Sequence, residues 1–126
     1  MAMDTVPYFV EVTRAALPLL ITKASSTEGD LLIGGENWYF SSESAWRVAS
    51  EAGFLFGSRA RPTEENVASL VGQAIQRVEP SGVADLDFRL YLSGGAVLET
   101  FSDTDFEPWE LSLPGVPLIV ADGSPA

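Results

Sequence analysis

The chain has 126 residues, enough for about one domain around one core, and its 46% apolar content is too high for disorder. It contains neither cysteine nor histidine. That excludes disulfides, Cys-His and Ser-His-Asp nucleophiles, and zinc sites built on those ligands.

Charge is the most lopsided feature. Eighteen acidic and seven basic residues give a formal −11. Residues 1–78 hold nine acids against six bases, or −3; residues 79–126 hold nine acids against Arg89 alone, or −8. Such a surface repels nucleic acid and anionic membranes and attracts a basic protein, or else it serves only solubility. The apolar N-terminus lacks a basic leading region and is interrupted by Glu11 and Arg14, so it does not read as a signal peptide. No run reaches the roughly 18 apolar residues of a membrane span. The expected location is cytoplasmic.

In chain order, Phe9, Val12 and Ala16 fall at helical spacing over 7–17, with Asp4 or Thr5 as cap and Pro18 as terminator. Leu19–Ile21 reads as a strand, Ser25–Gly29 as a turn, and Leu31–Ile33 as a second strand. Gly34-Gly35 is a hairpin signal before the aromatic strand Trp38–Phe40. Ser41–Ser44 reads as a loop, Trp46–Val48 as a strand, and Ala52–Phe56 as another. Residues 62–71 predict a second short helix capped by Thr63 and ended by Gly72. Ala74, Ile75 and Val78 then occupy a strand, and Pro80–Gly82 a turn. In 85–92, Leu86, Phe88, Leu90 and Leu92 alternate with Asp85, Asp87, Arg89 and Tyr91, which predicts exposed acids there. Gly94-Gly95, a strand through Val97 and Phe101, the Trp109–Leu111 strand and Leu118–Val120 complete the chain.

This order repeats. Leu20–Lys23 aligns with Ala74–Arg77, Gly34-Gly35 with Gly94-Gly95, Phe40 with Phe101, and Trp46 with Trp109. The prediction is one α+β domain over 1–126, made of two antiparallel β-meanders, each preceded by a short helix. They form one sheet, two packed sheets or a partly closed barrel. The correspondence is either an internal duplication, with repeats 4–58 and 62–123, or two meanders that merely share turn glycines. The loop before the tryptophan is SSESA in the first half and the longer, more acidic SDTDFEP in the second.

Leu70 and Gly72, Val78, Asp85-Leu86, Gly94-Gly95, Leu98 and Phe101, then Glu107 and Trp109, together with Trp46–Val48 and Gly57-Ser58, form a pattern. It resembles a family of small uncharacterised bacterial proteins, over about residues 30–121. Some of these look like immunity-type proteins encoded beside secreted toxins. The resemblance implies no activity, only that association.

Several groups are candidate sites. Asp103, Asp105 and Glu107 alternate and could face one cation, but the glycine and final glutamate of an EF-hand loop are missing. Asp85, Asp87 and Glu99 are the only carboxylate set for hydrolytic chemistry, and Arg89 is expected to pair with one of the aspartates. The glycine pairs open no helix and cradle no phosphate, and no serine has a base or a GxSxG elbow. Trp38, Trp46 and Trp109 read first as core. Trp109 between Glu107 and Glu110 also suits an interface rim. The expectation is a non-enzymatic acidic module without metal or cofactor. It binds a basic protein partner through Asp103, Asp105, Glu107, Trp109 and Glu110, as an immunity-type protein would. The alternative is a scaffold domain that self-associates as a homodimer.

Overall fold

A computed structural model describes residues 7–58, 64–82, 87–102 and 109–120. The fold is mostly antiparallel sheet with two short helices. Helix α1 (Tyr8–Ala16) begins after Pro7 and stops where Leu17 turns extended before Pro18. It buries Phe9, Val10 and Thr13, and the Arg14 Nε donates to the Val78 carbonyl at 3.2 Å, fastening the helix to a strand of the second half. The first-half strands are β1 (Leu19–Leu20), β2 (Lys23–Thr27), β3 (Asp30–Gly34), β4 (Tyr39–Ser42), β5 (Ala45–Ser50) and β6 (Gly53–Gly57). Helix α2 (Glu64–Ala68) follows, then β7 (Ala74–Ser81), β8 (Asp87–Leu92), β9 (Val97–Phe101), β10 (Trp109–Ser112) and β11 (Ile119–Val120).

Two sheets result. One has the order β1-β7-β8-β9-β5-β6, the other β11-β10-β4-β3-β2. Each joins a run of three consecutive strands from one half to a two-stranded hairpin from the other, and β1 adds a sixth strand to the first sheet beside β7. The seams are β5 with β9, where Trp46 lies opposite Thr100, and β4 with β10, where Trp109 lies opposite Ser42. The chain therefore changes sheet three times, after β1, after β4 and after β9.

The core lies between the sheets. Phe9, Phe40, Phe88 and Trp109 form one aromatic cluster, with Phe88 stacked on Trp109 at 4.8 Å and Phe9 edge-on to both at 5.4 and 5.1 Å. Trp38, Trp46 and Trp109 are all buried. A buried indole needs an acceptor. Trp46 Nε1 donates to the Gly29 carbonyl at 2.8 Å and Trp38 Nε1 to the Leu20 carbonyl at 3.1 Å.

Four local expectations are corrected. Ser41 and Ser42 belong to β4, paired on both sides, and only Glu43 and Ser44 connect it to β5. Ser25–Thr27 is strand, not turn, and only Glu28 and Gly29 make the reversal. Pro80 and Ser81 belong to β7. Asp87 is buried rather than exposed, because the first residue of β8 is covered by Ser102 and the Gly82 bend.

Candidate functional site

The β2–β3 reversal is tight. Glu28 (φ 53) and Gly29 (φ 89) both adopt left-handed backbone, as a two-residue hairpin turn requires. Asn-Gly fits such a turn best; here the first position is a glutamate held at positive φ. Beside it, Thr27 pairs with Asp30 and Leu31 with Ser42. Glu43 is therefore set next to Asp30 at the same end of the sandwich. Glu28, Asp30 and Glu43 are all exposed, and none is ion-paired to a described residue. A shallow depression of about 220 Å³ lies here, lined among others by Ser25, Thr27, Asp30, Leu32, Ser41 and Glu43. Its walls are hydroxyls and two carboxylates, with Leu32 as an apolar side.

Two of the three changes of sheet, those after β4 and β9, are rooted at this end. The first runs through Glu43 and Ser44; the Ser42 hydroxyl donates to the Ser44 carbonyl at 3.0 Å, and the Ser44 hydroxyl donates to the Phe101 carbonyl. The second leaves at Ser102 and returns at Trp109. Ser102 is held by Asp87. One carboxylate oxygen accepts from the Thr100 and Ser102 hydroxyls at 2.9 and 2.7 Å, and the other accepts the Ser102 amide at 2.8 Å.

Of the residues expected to bind a partner, Asp103, Asp105 and Glu107 lie outside the described residues. Trp109 is buried at 1% exposure within the aromatic cluster, as its core reading required. Glu110 is half-buried on the outer face of the five-stranded sheet. It accepts weakly from the Tyr39 and Ser41 hydroxyls at 3.4 and 3.5 Å. Burial first, and then Glu110, push the Tyr39 hydroxyl above its ordinary pKa. Glu28, Asp30 and Glu43 were not singled out in the sequence. The available signal was the match between SSESA and SDTDFEP, which places Glu43 in the counterpart of the acidic loop.

The second-half acids do not share one face among the described residues. Glu79 and Glu99 stand on the outer face of the six-stranded sheet with three arginines. Arg47 and Arg89 both bond Glu99, at 3.0 and 2.9 Å, so Arg89 pairs with Glu99 rather than with an aspartate. Arg77 pairs with Glu79 and lies over the Tyr91 ring at 4.7 Å, while the Tyr91 hydroxyl donates to Glu79 at 2.7 Å. Burial pushes the Glu99 carboxyl up, but the hydrogen bonds from Arg89 and Arg47 outweigh it and hold the group below its usual range. Tyr91, then Arg77, lower Glu79 in the same sense. Asp87 and Glu99 thus have separate environments, one buried among hydroxyls and one in an open ion-pair ladder. Asp85 lies outside the described residues.

Among the described residues, no group of three or more acidic side chains is placed to hold a metal ion, and no helix is long and apolar enough to cross a membrane. No family model, no curated protein and no solved structure matches the chain.

Proposed function

We propose that this chain is a non-enzymatic binding module that engages a basic protein partner through the acidic end of its sandwich. The observation that carries this reading is the placement of exposed Glu28, Asp30 and Glu43, none ion-paired to a described residue, at the end where the β4–β5 and β9–β10 crossovers are rooted. By sequence, the segment between Ser102 and Trp109 adds Asp103, Asp105 and Glu107. Ser58, which approaches Gly29, leads into Arg59 and Arg61, so the segments rooted here carry six acids against two arginines. The depression suits a lysine or arginine side chain. Asp30 and Glu43 can accept its N–H donors, the hydroxyls can supply further acceptors, and Leu32 can flank its aliphatic stem. An immunity-type role, in which this end caps a basic toxin, is the form of the proposal that the sequence resemblance favours.

The test is binding to the product of an adjacent gene at low and high salt. Charged contacts that are partly open to solvent should weaken at least about tenfold between roughly 50 and 500 mM salt. Asp30→Lys with Glu43→Lys should abolish the complex. Binding indifferent to both changes would sink the proposal.

The internal duplication is proposed on the exchange of hairpins between the sheets. A two-fold relation between halves makes Trp46 opposite Thr100 the counterpart of Trp109 opposite Ser42. That register sets Phe40 against Leu98 rather than Phe101, since Phe40 faces Leu111 and Leu98 faces Val48. A natural single-repeat chain that assembles as a homodimer with this strand order would establish it; single-repeat relatives with another topology would count against it.

A further inference from the structure

Four strands end the two sheets, and three of them are poor templates for pairing. β1 and β11 are two residues long, and α2 packs against β2. β6 is five residues long and no described element pairs with its outer edge. It also carries a defect in alternation. Val48 lies opposite Phe56 and Ala49 opposite Phe54, so Leu55 is an extra residue in a β-bulge. The bulge turns two successive large apolar side chains outward: Phe54 is 55% exposed and Leu55 52%. Register extends the apolar strip inward from Phe54 through Ala49 to Val97. Isolated exposed apolar residues are ordinary, but two adjacent ones on an open edge invite pairing with another chain.

The charges select the occupant. Two copies of a −11 chain repel, so self-association is easiest where acids are few. Among the described residues near β6 the exposed charges are Glu51, in the β5–β6 turn, and Arg47, opposite Gly57 at the other end of the hairpin; Arg47 shares Glu99 with Arg89, so two guanidiniums against one carboxylate leave that end positive. Antiparallel pairing across a two-fold axis carries the turn of each copy to the Gly57 end of the other. Glu51 of one copy then approaches Arg47 of the second, twice. A patch that is apolar in the middle and opposite in charge at its two ends complements itself.

We propose that β6 is a self-association edge, at which two copies of this chain pair antiparallel and cover each other's Phe54 and Leu55. Phe54 and Leu55 lie toward the β5–β6 turn, whereas β6 meets the acidic end only beyond Gly57, where Ser58 approaches Gly29, so substitutions at Phe54 and Leu55 test this proposal apart from the first.

Sedimentation equilibrium on the full chain tests it. The mass should rise from 13.5 kDa toward twice that over about 5–500 µM, as mass action requires. Leu55→Asp, and separately Phe54→Asp, should lower the association constant at least about tenfold. Circular dichroism and the thermal midpoint of dilute samples should not change, because both side chains are exposed in the single copy. Glu51→Arg, in the turn and outside the core, should weaken association at low salt and lose that effect at high salt. A mass of 13.5 kDa at every concentration, or association that the aspartate and Glu51 variants leave intact, overturns the proposal.

Discussion

Asp87 is the residue at which strand alternation and burial part company. Its place in the period-two pattern of β8 puts it with exposed Arg89, yet Thr100 and Ser102 enclose its carboxylate. The enclosing residues come from β9 and the chain just beyond it, information that no local pattern holds. Replacing Asp87 with alanine strands hydroxyl and amide donors, and urea denaturation should show a loss of about 2–3 kcal/mol. Glu99 has the opposite character, a carboxylate on an open face gripped by two arginines. Because its folded pKa is lowered, its contribution is present above the usual glutamate range and is lost as pH falls through it. Denaturation from about pH 6 to 3 should therefore show a smaller loss of stability for Glu99→Gln than for the parent, with a cost near neutrality of about 1 kcal/mol. An unchanged pH profile would mean that the two ion pairs contribute nothing.

At the level of elements, the sequence marks strands best where apolar residues recur. The Leu31–Ile33, Trp46–Val48 and Trp109–Leu111 strands were legible for that reason. β2 was not, because its sequence, KASST, is polar; its strand character comes from pairing with β3 and from α2 beside it, both tertiary effects. The acidic β2–β3 turn stayed hidden with it. Glu28 at positive φ is a residue that the turn does not favour. Glu28→Asn should raise stability by about 0.5–1 kcal/mol while weakening partner binding, two readouts moving in opposite directions. The Gly34-Gly35 hairpin was legible as a turn, but its tightness was not. A Cβ on Gly35 would lie 2.4 Å from the Leu20 carbonyl oxygen and 2.2 Å from Trp38 Nε1. Gly35→Ala should therefore displace the bond between those two groups, lower stability by more than about 2 kcal/mol, and shift the tryptophan fluorescence.

For the whole molecule, net charge and its placement are separate facts. The −8 of the second half suggested one acidic face, but the fold deals the described acids of that half to a buried clamp, an arginine ladder and the far sheet. The exchange of hairpins between sheets does this, since it sets each crossover beside strands of the other half. It also brings first-half Glu28, Asp30 and Glu43 to the root of the second-half acidic segment, which no count along the chain reveals. The most direct test of that acidic end is amide chemical-shift mapping during titration with an oligolysine peptide. The account predicts that shifts concentrate at Glu28, Asp30, Glu43, Ser44 and Ser102 and vanish with added salt. Shifts centred on Arg47, Arg89 and Tyr91, or spread evenly over both sheets, would contradict it.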